Sequence, residues 1–114
     1  MSIALFTPKP RRVTQAGPCS FWETFEVRHY RSVSLTLKVI GFEGATAPLL
    51  WIAMETSMNP DRDFGSLGRF DTIAVDGGVS QVNFDHLMRY VRWNVVQFEG
   101  AAAAYFTLEG TAST

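Results

Sequence analysis

The chain has a single cysteine, Cys19, among 114 residues. An internal disulfide is therefore excluded, and with it the small scaffold held together by a disulfide framework. The expectation is a protein folded in a reducing compartment. Charge is scarce as well: Lys and Arg number 10, Asp and Glu 11, for a net charge of −1. So even a balance offers no field to gather nucleic acid and little repulsion to keep copies apart. Long apolar runs are missing. The most apolar stretch, Pro48 to Met54, has the length of a strand, so no membrane span is expected. In the opening MSIALFTPKPRR the apolar run, Ile3 to Phe6, is too short for a signal peptide and the charges follow it. No CxxC or HxxxH pair occurs, so Cys19, His29 and His86 do not make a zinc site by spacing.

What is present is period-two alternation. Val91, Trp93 and Val95 alternate with Tyr90, Arg92 and Asn94, and Ala102, Ala104, Phe106 and Leu108 with Ala103, Tyr105, Thr107 and Glu109. Each set reads as a strand with one face on a core. The stretch Leu87 to Thr111 therefore reads as two long strands joined by a short turn at Glu99-Gly100, a hairpin at the centre of an antiparallel sheet. The alanines are read as small residues where another layer comes close.

Upstream, the segment SFWETFEV at 20–27 reads as a first strand. From Ser32 to Ile40, Val33, Leu35, Leu37 and Val39 face in, and Ser32, Ser34, Thr36 and Lys38 face out. In Leu49 to Ser57 the inward set is Leu50, Ile52, Met54 and Thr56. The Asn59 to Asp63 segment is a turn by residue type. Ser66 to Val75 and Val79 to Phe84 are further strands, with Asp76-Gly77-Gly78 as a tight turn between them. Seven or eight strands at such spacing predict one all-β domain, an antiparallel sandwich of jelly-roll or immunoglobulin-like type, over 20–114. Residues 1–19, broken by Gly17, Pro8, Pro10 and Pro18, read as an extended N-terminal arm.

Candidate chemistry is thin. Asn59, Asp61 and Asp63 alternate like the start of a calcium loop, but Phe64 precedes Gly65 and Phe70 stands where the closing Glu is needed. Asp85 and His86 are adjacent without a nucleophile motif. No catalytic residue, cofactor or metal site is expected. Arg28, Arg31, Arg89 and Arg92 read as partners for carboxylates across strands or subunits rather than as a nucleic-acid patch. In the arm, Ile3, Leu5 and Phe6 suit addition as a strand to a neighbour's sheet edge, and Lys9, Arg11 and Arg12 suit pairing with acidic partner residues. Trp51 and Tyr105 are the candidates for a sugar-stacking platform, against the more frequent fate of strand aromatics, burial.

Five segments together carry a resemblance: RSVSLTLKV (31–39), IAMETSMNP (52–60), FGSLGRF (64–70), LMRYVRWNV (87–95) and AAAAYFTLEG (101–110). Glu55-Thr56-Ser57 closes a strand before a polar turn and Leu67-Gly68; Arg89-Tyr90-Val91-Arg92 opens another; Glu109-Gly110 ends the last. This pattern resembles small β-sandwich virion structural proteins of tailed bacteriophages and prophages, over roughly residues 20–112. The resemblance implies a non-enzymatic auxiliary capsid, decoration or head–tail protein. Its expected partners are capsid or tail proteins and copies of itself, with no membrane and no nucleic acid, and its expected location is the virion after assembly in the host cytoplasm. The alternative from another class is a carbohydrate-binding sandwich module for surface attachment.

Overall fold

A computed structural model describes residues 2–6, 9–20, 23–70 and 78–114. Among the described residues, ten strands form two antiparallel sheets. They are β1 (Ser2–Leu5), β2 (Arg11–Val13), β3 (Gly17–Pro18), β4 (Phe25–Glu26), β5 (Ser32–Glu43), β6 (Leu49–Ser57), β7 (Gly65–Arg69), β8 (Val79–Asp85), β9 (Tyr90–Glu99) and β10 (Ala103–Ser113). Sheet I has the order β1-β10-β5-β8, with β2 also on β10. Sheet II has the order β3-β9-β6-β7, with β4 also on β9.

Among the described strands, β6 and β7 alone are chain neighbours that hydrogen-bond to each other. If β1 with β2, and β3 with β4, are each taken as one interrupted edge strand, every other connection crosses from one sheet to the other. Eight strand positions wound in this way make a jelly roll, one of the two sandwich types expected.

The inward faces follow the alternation read from the sequence, except that Ala102 is exposed while Ala103 and Ala53, from the opposite sets, are buried. Val33, Leu35, Leu37 and Val39 from β5 meet Leu50, Ile52 and Met54 from β6, Val91, Trp93 and Val95 from β9, and Phe106 and Leu108 from β10, all buried. Burial of such side chains is the main stabilising term of the domain, at about 1.5–3 kcal/mol each.

The hairpin expectation is corrected. The two strands of Leu87 to Thr111 lie in opposite sheets and stack face to face: Trp93 of β9 and Phe106 of β10 meet edge to face with ring centroids 5.3 Å apart. The Glu99-Gly100 turn is a corner between sheets. Gly100 has φ +75°, and a Cβ there would sit 2.6 Å from the Ala47 carbonyl oxygen, so the corner needs glycine. The Thr46 N–H donates to the Gly100 carbonyl (2.7 Å) and the Ala102 N–H to that of Glu43 (2.8 Å), which pins this corner to the β5–β6 corner beside it. Small residues meet here as expected: a Cβ on Gly44 would lie 3.4 Å from the Cβ of Ala102.

The N-terminal arm is the second correction. Ser2 to Leu5 pair with Ser113 to Gly110, Arg11 to Val13 pair with Phe106 to Ala104, and Gly17-Pro18 pair with Val95-Asn94. The segment thus supplies the edge of both sheets. The cause is twofold: β10 and β9 would otherwise present unpaired backbone, and Leu5 and Phe6 gain burial in the core, with Phe6 packed edge to face on Phe25 at 4.9 Å.

Elsewhere β5 runs three residues past its expected end, to Glu43. Within the expected first strand only Phe25–Glu26 is strand among the described residues. The strand expected to end at Val75 is found as Gly65–Arg69. The rest of that strand beyond Phe70, and Asp76-Gly77 of the expected tight turn, lie outside the described residues.

Candidate functional site: a groove on the outer face of sheet I

The first three outward positions of β5, Ser32, Ser34 and Thr36, are short. Register places Ser34 between Thr111 of β10 and Asn83 of β8, and Thr36 between Glu109 and Gln81. Short hydroxyl side chains flanked by longer amides and a carboxylate make a groove along β5, with a volume of about 580 Å³. Beyond one end lie Ser32, Ser113 and Asp85; beyond the other, Lys38 stands between Thr107 and Val79. The side chains of Ser34, Thr36, Gln81, Asn83, Glu109 and Thr111 make no hydrogen bond or ion pair with any described residue. Each of them except Glu109 can both donate and accept; an ionised Glu109 only accepts.

The outer face of sheet II is the opposite case. Glu55 accepts from Arg92 Nε (2.8 Å) through Oε1 and from Asn94 Nδ2 (3.0 Å) through Oε2. The Arg92 guanidinium lies 3.9 Å from the ring centroid of Phe64, and that of Arg69 lies 4.2 Å from the Trp51 ring. At the end of β6, Ser57 Oγ donates to the Arg62 carbonyl (2.6 Å) and accepts from the Asn59 N–H (3.0 Å). The Asn59 to Asp63 segment is thus a hydrogen-bonded turn, as its residue types suggest. No group of three or more potential metal ligands occurs among the described residues.

Between the two sheets, at their N-terminal edge, sits a buried polar cluster. Arg11 of β2 donates from Nε to Glu23 (2.6 Å) and from Nη1 to the carbonyls of Lys9 (3.2 Å) and Leu108 (3.3 Å). Glu23 also accepts from Trp93 Nε1 (3.1 Å). Arg11 Nη2 is buried with no partner among the described residues. The cluster joins β2 and β10 of sheet I to β9 of sheet II. Arg11 is therefore not a surface cation awaiting an acidic partner, and Leu5 and Phe6 are not free to add to a neighbour, because all three are buried inside the chain. Ile3 packs partly buried against the core. Lys9 and Arg12 are exposed, and Arg12 donates to the Tyr105 hydroxyl (3.1 Å).

Trp51 and Tyr105 do not form one platform. Trp51 lies on the outer face of sheet II beneath Arg69, and Tyr105 on that of sheet I, where its hydroxyl donates to Glu43 (2.8 Å). Both are half-buried. Of the four arginines expected to pair with carboxylates across strands or subunits, Arg92 does so with Glu55 and Arg89 with Glu26 (Nε, 3.0 Å); Arg28 pairs with Glu26 (3.2 Å) two positions away in its own segment, and Arg31 forms no ion pair with a described residue. The Arg89 hydrogen bond, aided by Arg28, holds the Glu26 carboxyl below its ordinary pKa. Burial pushes the Cys19 thiol up, which keeps it protonated and unreactive near neutral pH. The groove itself was missed in the sequence, although its floor, the Ser/Thr set of β5, was in view as an outward face.

No protein-family model and no curated protein matches the chain. Among solved structures it is similar to the SPBc2 prophage-derived protein YomS, with a TM-score of 0.56 and 14% identity over 98% of this chain and 92% of that one. It is also similar to the Eiger TNF of S. frugiperda (TM-score 0.58, 12% identity, 99% and 92% covered). A third similarity is to the CBM22-1–GH10 modules of a Clostridium thermocellum xylanase complexed with xylohexaose (TM-score 0.52, 7% identity), where 80% of this chain matches 19% of that one. At these identities the likeness establishes the β-sandwich fold.

Proposed function

We propose that the chain is a non-enzymatic structural subunit of a phage-like particle, a capsid decoration, auxiliary or head–tail protein that binds shell or tail proteins and copies of itself. The observation that carries this reading is the end-to-end correspondence with a prophage-derived protein, 98% of one chain against 92% of the other, so that the two chains share a fold at nearly one size. The surface supports it at the two ends of the sandwich. Met58 and Met88 are exposed at one end, where the Met88 N–H donates to Thr56 Oγ1, and Ile40 and Val79 are exposed at the other. Methionine is suited to such contacts because its flexible, polarisable side chain adapts to a partner.

Two measurements test the proposal. Particles sedimented from a culture of the source cells should contain the chain at a fixed number of copies per particle; a chain confined to the supernatant contradicts the reading. Light scattering of the purified protein across concentration should show a discrete oligomer that dissociates in a Met58→Glu/Met88→Glu variant. A monomer at every concentration removes the self-association part.

A further inference from the structure

We infer that the groove on the outer face of sheet I is a binding site for a neutral, hydroxyl-rich oligosaccharide laid along β5. This goes beyond the particle reading and does not depend on it. The first argument is the state of the side chains. Thr36, Gln81, Asn83 and Glu109 have no partner among the described residues. Water satisfies them in the free protein, and a ligand gains only if it replaces that water group for group. Sugar hydroxyls do so, because each donates and accepts like the water it displaces and like the Ser, Thr, Asn and Gln side chains it meets.

Composition excludes the other occupants. A protein interface needs an apolar, desolvated centre rich in aromatics, and the outward side chains of the groove offer none. A nucleic-acid strand needs cations along its path and rings to stack on; Glu109 would repel phosphate, and Lys38 lies beyond the groove's end. An apolar small molecule needs a greasy, enclosed pocket.

Shape favours a linear chain. Ser34 and Thr36 are two residues apart on β5, about 6.6–6.8 Å along the strand, with strands about 4.8 Å away on either side. The groove is thus a trough with side walls from Glu109 and Thr111 on one flank and Gln81 and Asn83 on the other. The sheet holds it in place, so binding breaks no internal hydrogen bond. On sheet II the same ligand would have to take Glu55 from Arg92 and Asn94. Without a ring in the groove to stack on a sugar face, the expected dissociation constant is on the order of millimolar.

The test is an amide-shift titration of the ¹⁵N-labelled protein with cellohexaose, xylohexaose and mannohexaose in turn. At least one sugar should shift residues of β5, β8 and β10 around Thr36. Thr36→Trp, which fills the groove, should abolish the shifts, and Gln81→Val should weaken binding several-fold, both with the remaining amide spectrum unchanged. No shift with any of the three at about 10 mM, tenfold above a millimolar constant, overturns the proposal. Shifts centred on Trp51 overturn it too, because they place the site on the other sheet. Particle incorporation of Thr36→Trp separates the two readings: a variant that binds no sugar yet enters particles leaves the subunit reading intact.

Discussion

The two outer faces of the sandwich come from the same alternation and end in opposite states. On sheet II, Glu55 is shared by Arg92 and Asn94, Arg92 is covered by Phe64, and Arg69 lies on Trp51. Glu55 satisfies Arg92 and the Asn94 amide nitrogen, leaving Asn94 Oδ1 buried without a partner among the described residues, and the face is largely closed by its own side chains. On sheet I, Thr36, Gln81, Asn83 and Glu109 stand side by side without joining. The difference lies in reach and charge. Sheet II places long arginines opposite a carboxylate. Sheet I places short hydroxyls between one carboxylate and two amides, which do not reach across them. A face stabilised by its own contacts contributes to folding; a face left open keeps its hydrogen bonds for something else.

The largest loss of stability is expected at the edge that joins the two sheets. Arg11→Ala leaves the half-buried Glu23 with the Trp93 indole N–H but without its cation, and the Leu108 carbonyl short of a donor. Breaking a fully buried pair costs about 3–5 kcal/mol; with Glu23 part-exposed, urea unfolding should show a loss of about 2–4 kcal/mol. A loss under about 1 kcal/mol would mean that water satisfies the cluster in place of Arg11.

Within sheet II, Glu55→Ala takes the acceptor from two donors in a half-buried setting and should cost about 1–3 kcal/mol. A smaller change is expected from Arg69→Ala, which removes the cation over Trp51. An exposed cation–π contact is worth about 0.5–1 kcal/mol. Trp51 fluorescence should shift in that variant as the ring gains contact with water.

The smallest effect concerns Glu26. Its pKa is lowered in the folded state, chiefly by the Arg89 hydrogen bond. A lowered carboxyl contributes stability above its unfolded pKa, and that contribution is lost as pH falls through the folded one. Glu26→Gln should therefore be slightly less stable than the parent at neutral pH, with the gap closing in acid. The pair is solvent-screened, so the gap should also shrink in high salt. A gap that widens in acid would assign the pair the wrong sign.

Period-two alternation made legible which residues face the core. Val33, Leu35, Leu37 and Val39, then Leu50, Ile52 and Met54, then Val91, Trp93 and Val95 point inward as read. It could not tell which sheet a strand joins, because a strand looks the same whether its neighbour is hydrogen-bonded beside it or packed across the core. Glu99-Gly100 therefore read as a hairpin although Trp93 and Phe106 face each other across the sandwich. Prolines and basic residues made the first nineteen residues look unattached; that Arg11 would find Glu23 twelve positions on is tertiary information. The groove had the same obstacle. Ser32, Ser34 and Thr36 were visible as an outward row, but a groove needs the registers that set Glu109 and Gln81 on either side of Thr36.

The claim that one face is closed for folding and the other open for binding can be tested directly by comparing two variants in urea. One is Glu55→Ala on sheet II. The other is the triple change Gln81→Val/Asn83→Val/Glu109→Val on sheet I, which removes three polar side chains while keeping residues that suit strands. The account predicts that the single change costs about 1–3 kcal/mol, that the triple one stays within about 1 kcal/mol of the parent, and that both keep the parental urea dependence. A triple variant less stable than the single one would show that the side chains of sheet I help hold the fold together, and would contradict the account.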